Sequence, residues 1–189
     1  MDAAGIMVPH IMNKEDARNV VRTTRFQPMG RRPIDGGNSD GMFCNVDIRD
    51  YMEQANRERF VCLQIEDPEP MAELEAIADL PGYDILFYGP GDFSHALGVL
   101  GQPNHPEVLK ARERIAKAAI KYGKYPGTVG APVVRKQLVD MGYRFLNMGA
   151  DVIGFSQYCR DVAAGCGISR DSLRPERFQQ ITGGQALGS

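Results

Sequence analysis

The sequence predicts an α/β protein built around a parallel sheet. Two short apolar runs, Phe60–Ile65 and Ile85–Tyr88, are bounded by polar residues, glycine or proline. Such runs are typical of buried parallel strands. Residues 71–80, which lie between them, carry apolar side chains at helical spacing. Strand candidates alternate with helical segments along the chain, which favours a parallel sheet covered by helices. These candidates begin at Gly5, Phe60, Ile85, Tyr125 and Phe145.

Capping residues and apolar periodicity predict where the helices lie. Asn13 and Asn45 are the expected N-caps of the first two helices. Pro106 is expected at the first position of the longest helix, where its fixed φ is favourable. The predicted helices cover residues 13–24, 46–59, 71–80, 106–122 and 132–141, and residues 152–165 begin a further helix or turn.

A long segment rich in glycine and proline, residues 26–42, interrupts this alternation. Its composition excludes a regular element. It carries Arg31 and Arg32, and two interpretations stay open. Long loops inside compact domains are often functional, but a solvated surface loop is equally consistent with this sequence.

The composition is that of an ordinary globular protein. The chain has 189 residues, 43% of them apolar and 24% charged, with a formal net charge of −2. We expect one domain, a partial barrel over residues 1–168, followed by a mobile tail over residues 169–189. The charge balance gives no indication of nucleic-acid or membrane binding. The sequence shows no signal-peptide layout, and its four cysteines lack zinc or disulfide spacing, so we expect reduced thiols in a cytoplasmic protein.

Acidic residues follow the two central strand candidates. Glu66 comes directly after the first, and Asp92 lies in the glycine-rich turn after the second. Ligands of parallel α/β folds bind at the carboxyl ends of strands, and paired carboxylates suit Mg²⁺ or Mn²⁺. The alternative is that Asp92 only caps a helix.

Two further polar residues are expected at the same rim. Gln64 lies two residues before Glu66, so strand alternation places both side chains on one face. Its amide either holds substrate or a metal-bound water, or hydrogen-bonds buried backbone. His10 follows the first strand candidate, and it is either a general base or a polar surface residue.

The motifs together resemble the HpcH/HpaI aldolase family of class II, metal-dependent pyruvate aldolases. The resemblance is carried by Gln64-Ile65-Glu66 and by the turn Gly89-Pro90-Gly91-Asp92-Phe93-Ser94. It extends to the segments GIMVP, FQPMGRR, NHP and FLNMGAD, and it covers residues 3–165. The family fold is a TIM (β/α)₈ barrel. Gly5 would begin the fourth family strand, so the resemblance implies an incomplete barrel of about five C-terminal βα units.

The resemblance also implies a chemistry. A 4-hydroxy-2-oxo acid would undergo retro-aldol cleavage to pyruvate and an aldehyde through a metal-stabilised enolate. Glu66 and Asp92 would bind the divalent cation, which would be Mg²⁺ or Mn²⁺, with Co²⁺ as a further candidate. Gln64 would be catalytic and would also bind substrate. The substrate-binding set implied by the family is Gln64, Pro90, Gly91, Asp92 and Val152.

Family members form homo-oligomers, so a trimer or hexamer is implied. The family's catalytic Arg and His–Asp pair come from strands absent here, so we expect this short chain to turn over poorly by itself. Two alternatives remain open. One is a C–C lyase similar to citrate lyase or malyl-CoA lyase. The other is a truncated barrel that acts as a binding or oligomer-forming module.

Overall fold

A computed structural model of the chain describes residues 3–168 and shows five parallel strands in a single sheet. The strands follow one another in sequence order, each paired with its neighbours along the chain. They form a curled half-barrel with helices, which confirms the predicted incomplete α/β barrel. The strands are β1 (Gly5–Val8), β2 (Phe60–Ile65), β3 (Ile85–Tyr88), β4 (Tyr125–Val129) and β5 (Phe145–Asn147).

Seven α-helices connect or follow these strands within the described residues. They are α1 (Lys14–Thr24), α2 (Ile48–Glu58), α3 (Leu74–Ala78), α4 (Pro90–Ala96), α5 (Pro106–Lys121), α6 (Arg135–Asp140) and α7 (Asp151–Gly165). The single helices predicted over 71–80 and 132–141 each divide into a 3₁₀ turn, Glu69–Ala72 or Pro132–Val134, and a short α-helix.

The chain divides into two compact units, Met1–Met148 and Gly149–Ser189. The whole sheet belongs to the first unit, and α7 belongs to the second. The predicted domain boundary after residue 168 stays a prediction. The predicted tail, residues 169–189, lies outside the described residues. No helix in the described part is long and apolar enough to cross a bilayer.

The helix-facing side of the sheet holds the main apolar core. Alternate residues of β2 and β3 point to this side and pack against α3 and α5. Helices α3 and α5 each contribute one apolar stripe to this core, as the sequence periodicity predicts. The fully buried members include Leu63, Ile65, Leu86, Tyr88, Leu74, Ile77, Val108 and Ile115.

The opposite, concave side is filled by aromatic rings. Phe145 of β5 lies 6.0 Å from Phe60 of β2 and 6.2 Å from Phe87 of β3, measured between ring centroids. Contact between β2 and β5, which are not sheet neighbours, requires the sheet to curl. Gly127 leaves room for Phe87, because a Cβ there would lie 2.6 Å from the Phe87 ring.

The helix caps agree with the sequence at one position and differ at another. The Asn13 side chain accepts a hydrogen bond from the Asp16 amide at 2.9 Å, which confirms the predicted cap of α1. The predicted Asn45 cap of α2 is wrong, because Asp47 caps that helix instead. The Asn45 side chain donates to the carbonyls of Met42 and Phe43 and so closes the preceding 3₁₀ turn.

The concave aromatic contact can be tested by mutating Phe145→Ala. We expect a loss of about 2–3 kcal/mol in unfolding free energy, slightly below the cost for a fully buried Phe, because the ring is only half-buried. The matched control is Tyr125→Ala, since Tyr125 starts the neighbouring strand and is 62% exposed. We expect this control to cost less than about 0.5 kcal/mol in urea unfolding. Equal losses in the two variants would contradict the aromatic packing of the concave face.

Candidate functional site

The carboxyl ends of three neighbouring strands meet at one edge of the sheet. The register pairs Val8 with Leu63 and Ile65 with Tyr88, so β1, β2 and β3 end at about the same level. The residues that follow these strands, His10, Glu66 and Gly89, therefore come together. The polar side chains predicted at this rim lie here because parallel strands run in one direction.

Glu66 is a buried carboxylate with two protein donors. Only 2% of its surface is exposed. The His10 backbone N–H donates to Oε1 at 3.0 Å, and the Gln64 side-chain amide donates to Oε2. This confirms that the side chains of Gln64 and Glu66 lie on one face. Each carboxylate oxygen keeps a lone pair beyond these bonds, so the group can still ligate a cation.

Gly89 packs its backbone directly against these two side chains. A Cβ at this position would lie 2.8 Å from both Cβ and Oε2 of Glu66, and 3.0 Å from Nε2 of Gln64. The φ of Gly89 is −98°, which any residue can adopt. The glycine is therefore required by the close approach of the carboxylate, and the backbone conformation does not require it.

Asp92 lies in the first turn of α4 and is exposed. Gly89 occupies the N-cap position of that helix and Pro90 its first position, so the alternative of Asp92 as N-cap is wrong. The negative charge of Asp92 is one of the smaller contributions that raise the pKa of His10. That Asp92 and Glu66 bind one cation stays a prediction.

His10 forms a contact that the sequence did not indicate. Its Nδ1 lies 2.9 Å from Oδ2 of Asp67, and the residue adopts a φ of +51°, in the left-handed region. The hydrogen bond to Asp67, together with the negative charge of Glu66, raises the pKa of His10. The position of Asp67 directly after Glu66 was the only available signal for this pair.

The turn between β3 and α4 also holds the other predicted substrate residues. A Cβ added to Gly91 would meet nothing within 4 Å, so the space beside this residue is open. The first backbone N–H groups of a helix have no acceptor within that helix, which leaves those of Gly91 and Asp92 available to an anion. Ser94 is buried, and its hydroxyl donates to the Gly91 carbonyl at 2.8 Å.

Val152, the remaining predicted substrate residue, lies outside the first compact unit. It is in the first turn of α7, 68% exposed, and its N–H bonds to the Asp151 carboxylate at 2.7 Å. Its role stays a prediction.

Arg32, in the glycine- and proline-rich segment of residues 26–42, lies at the other end of the sheet from this rim. Arg32 donates to the Tyr51 hydroxyl at 3.1 Å and lines a cavity with Gly5 and Phe60, the first residues of β1 and β2. This end of the sheet is opposite the carboxylates. Arg32 therefore does not lie at the carboxylate rim, because α1 carries the chain to the amino ends of the strands before the loop begins.

Among residues 3–168, His, Cys, Asp and Glu side chains do not gather in groups of three or more that could hold a metal ion. A cation at this rim would therefore have few protein ligands from this chain. The donors that are present, one buried and one exposed carboxylate, are hard oxygen ligands of the kind that Mg²⁺ and Mn²⁺ prefer.

The fold and the site together define a half-barrel with an acidic rim at the carboxyl ends of its strands. The sequence profile of the HpcH/HpaI aldolase/citrate lyase family matches residues 1–171. The chain belongs to this family, as the motif resemblance indicated.

The relatives are aldolases by name. The 4-hydroxy-2-oxo-heptane-1,7-dioate aldolase of Escherichia coli is 33% identical over 171 residues, which is 90% of this chain. The chain spans 65% of the length of that relative. An HpcH/HpaI aldolase/citrate lyase family protein from Burkholderia cenocepacia has a TM-score of 0.77 at 33% identity, with 87% of this chain and 65% of the other covered. An HpcH/HpaI aldolase from Desulfitobacterium hafniense has a TM-score of 0.80 at 27% identity, with coverage of 92% and 67%.

The contact between Gly89 and Glu66 leads to a stability prediction. Gly89→Ala should lower the unfolding free energy by about 1–3 kcal/mol, because the new methyl group overpacks against the Glu66 side chain. Gly91→Ala is the matched control two residues away, where the added methyl group meets open space. We expect this control to be neutral or stabilising by up to about 1 kcal/mol. Urea unfolding of both variants measures the difference, and a Gly89 variant as stable as the parent would refute the close packing.

Proposed function

We propose that this chain carries the metal and 2-oxo acid half of an aldolase site, which cleaves a 4-hydroxy-2-oxo acid to pyruvate and an aldehyde. The observation that carries the proposal is the buried Glu66 carboxylate at the end of β2, held by Gln64 and His10 and packed against Gly89. A buried carboxylate is costly unless it is paired or binds a cation. The two hydrogen bonds to Glu66 come from neutral donors, and the His10 imidazole, 3.7 Å from Oε1, is positively charged only when protonated, so a metal cation would complete the environment of Glu66.

Glu66 and Asp92 are the residues that would hold the cation. The bound metal would act as a Lewis acid that polarises the keto group of the 2-oxo acid. The positions not filled by these two carboxylates would belong to water and to substrate oxygens. Mg²⁺ and Mn²⁺ fit this oxygen donor set best, and Co²⁺ is a further candidate.

The chain's own groups orient the substrate. The backbone N–H groups of Gly91 and Asp92, at the start of α4, would accept the substrate carboxylate, and Pro90 at the first helical position sets the path of this turn. The Gln64 amide keeps the Glu66 carboxylate in place and has a second N–H left for substrate or water. Val152 would line the aldehyde side of the pocket.

The function is tested by pyruvate release from a 4-hydroxy-2-oxo acid in the presence of Mg²⁺ or Mn²⁺. The Glu66→Gln substitution keeps the shape of the side chain and removes its charge. We expect turnover to fall about 100-fold or more, because the loss of a metal ligand should cost at least as much as the loss of a residue that only hydrogen-bonds to a ligand. Glu75→Gln is the control, because Glu75 is an exposed carboxylate that pairs with Lys121 at 2.9 Å. Turnover that ignores both the metal and Glu66 would refute the proposal.

We also propose that the active form is a homo-oligomer, a trimer or hexamer. Within residues 3–168, strands β1 and β5 each have one sheet neighbour, so this part of the half-barrel has two open edges. Open edges pair readily with other chains unless they are covered. Helix α7 carries large apolar side chains, among them Val152, Ile153, Phe155 and Tyr158, that are exposed as far as the described residues show. Such a surface favours burial against a second chain.

Assembly can be measured by size-exclusion chromatography with light scattering. We expect a mass of three or six times 20.9 kDa. Phe155→Asp, which places a charge on the exposed apolar surface of α7, should shift the mass towards the monomer. Gln157→Asp on the same helix is the control for the added charge. A monomeric parent protein would overturn this proposal.

A further inference from the structure

A second cavity opens beside the turn that begins α4. It has a volume of about 700 Å³ and borders Pro90 and Gly91 on one side. The segment between α4 and α5, helix α5 itself, and the segment between β4 and α6 form its other walls. Glu66 and Asp92 do not line it. The cavity, called the α5 groove below, therefore adjoins the proposed substrate-binding turn but does not include the two carboxylates.

Among the described residues that line the α5 groove, one is a cation and none is a carboxylate. Arg112 is the charged residue among the side chains that line it, and Asn104, Gln102 and Gln137 are polar and neutral. Leu100 and Leu109 are among its apolar members. A site of this composition is complementary to a molecule with an apolar body and one anionic group.

The Arg112 guanidinium has no partner among residues 3–168. Its Nε is buried and makes no hydrogen bond. The acids nearest along α5 are engaged elsewhere, because Glu107 lies 3.8 Å from Lys110 and Glu113 lies 3.7 Å from Lys117. A buried donor without an acceptor is unfavourable, so a small rearrangement of the Arg112 side chain that gave Nε an anionic acceptor in the α5 groove would be favourable.

Two tyrosines fix the backbone of α5 around Arg112 and leave the charge of its side chain unpaired. The Tyr143 hydroxyl donates to the Arg112 carbonyl at 2.8 Å, and the Tyr88 hydroxyl donates to the Val108 carbonyl one turn earlier at 3.1 Å. These bonds fix this part of α5 on the sheet. Burial raises the pKa of both tyrosines, so they stay neutral and leave the arginine charge uncompensated.

We propose that the α5 groove is a binding site for a small organic anion, with Arg112 as the group that binds its carboxylate or phosphate and with the leucines against its apolar part. Arginine suits this role because its planar fork forms paired hydrogen bonds with either anion. The proposal does not depend on the aldolase function, since binding at Arg112 needs neither the metal nor turnover.

The test is calorimetric titration of the metal-free protein with three probes. Hexanoate and phenyl phosphate represent the two kinds of anion, and hexanamide is the neutral counterpart of hexanoate. We expect at least one of the two anions to bind and hexanamide to bind at least 10-fold more weakly than hexanoate or not at all. The anion that binds more tightly identifies the preferred headgroup. Failure of both anions to bind, or equal binding of hexanamide and hexanoate, would overturn the proposal.

Variants of α5 locate the binding. Arg112→Gln should weaken anion binding at least 10-fold, and Arg112→Lys, which keeps the charge but lacks Nε, should have an intermediate effect. Arg114→Gln is the matched control, because Arg114 lies on the same helix and donates to the Met71 carbonyl outside the α5 groove. Glu66→Gln should leave anion binding unchanged. Unaltered binding in the folded Arg112→Lys and Arg112→Gln variants would refute the assignment, and circular dichroism establishes that each variant is folded.

Discussion

The candidate site depends on the packing of the Gly89 backbone against the Glu66 carboxylate. This contact joins the ends of β2 and β3 and holds a charged group where only 2% of it is exposed. Gln64 and His10 complete the enclosure with one hydrogen bond to each carboxylate oxygen. A charge in such a place is unfavourable without a partner. The fold therefore maintains a buried carboxylate at this position, which supports the proposed cation site.

A similar close approach of glycine shapes the concave face of the sheet. Gly5 and Gly127 allow the rings of Phe60 and Phe87 to pack over neighbouring strands. Phe145 then bridges β5 back to β2, which sets the curl of the half-barrel. The curl brings apolar side chains together on a face that the strands of a full barrel would enclose, so five strands bury part of this interior by themselves.

Local patterns predicted most of the elements and the carboxyl rim. The runs at 60–65 and 85–88 are short and bounded, so their identity as strands did not depend on distant contacts. Caps were less reliable, because Asn45 and Asp47 are both good N-cap residues and only the preceding 3₁₀ turn decides between them. The location of Arg32 also required the structure, since a long loop does not reveal which end of the sheet it covers.

The sequence alone determined the alternation of strands and helices, the family, and the presence of acids at two strand ends, because these are properties of residue order. The tertiary structure decided which of these acids is buried and what surrounds it. The pairing of His10 with Asp67, the contact of Gly89 with Glu66, and the unpartnered Arg112 join residues that are far apart or uninformative in sequence. Such relations arise only when parallel strands bring their ends together and helices pack over them, which no local pattern encodes.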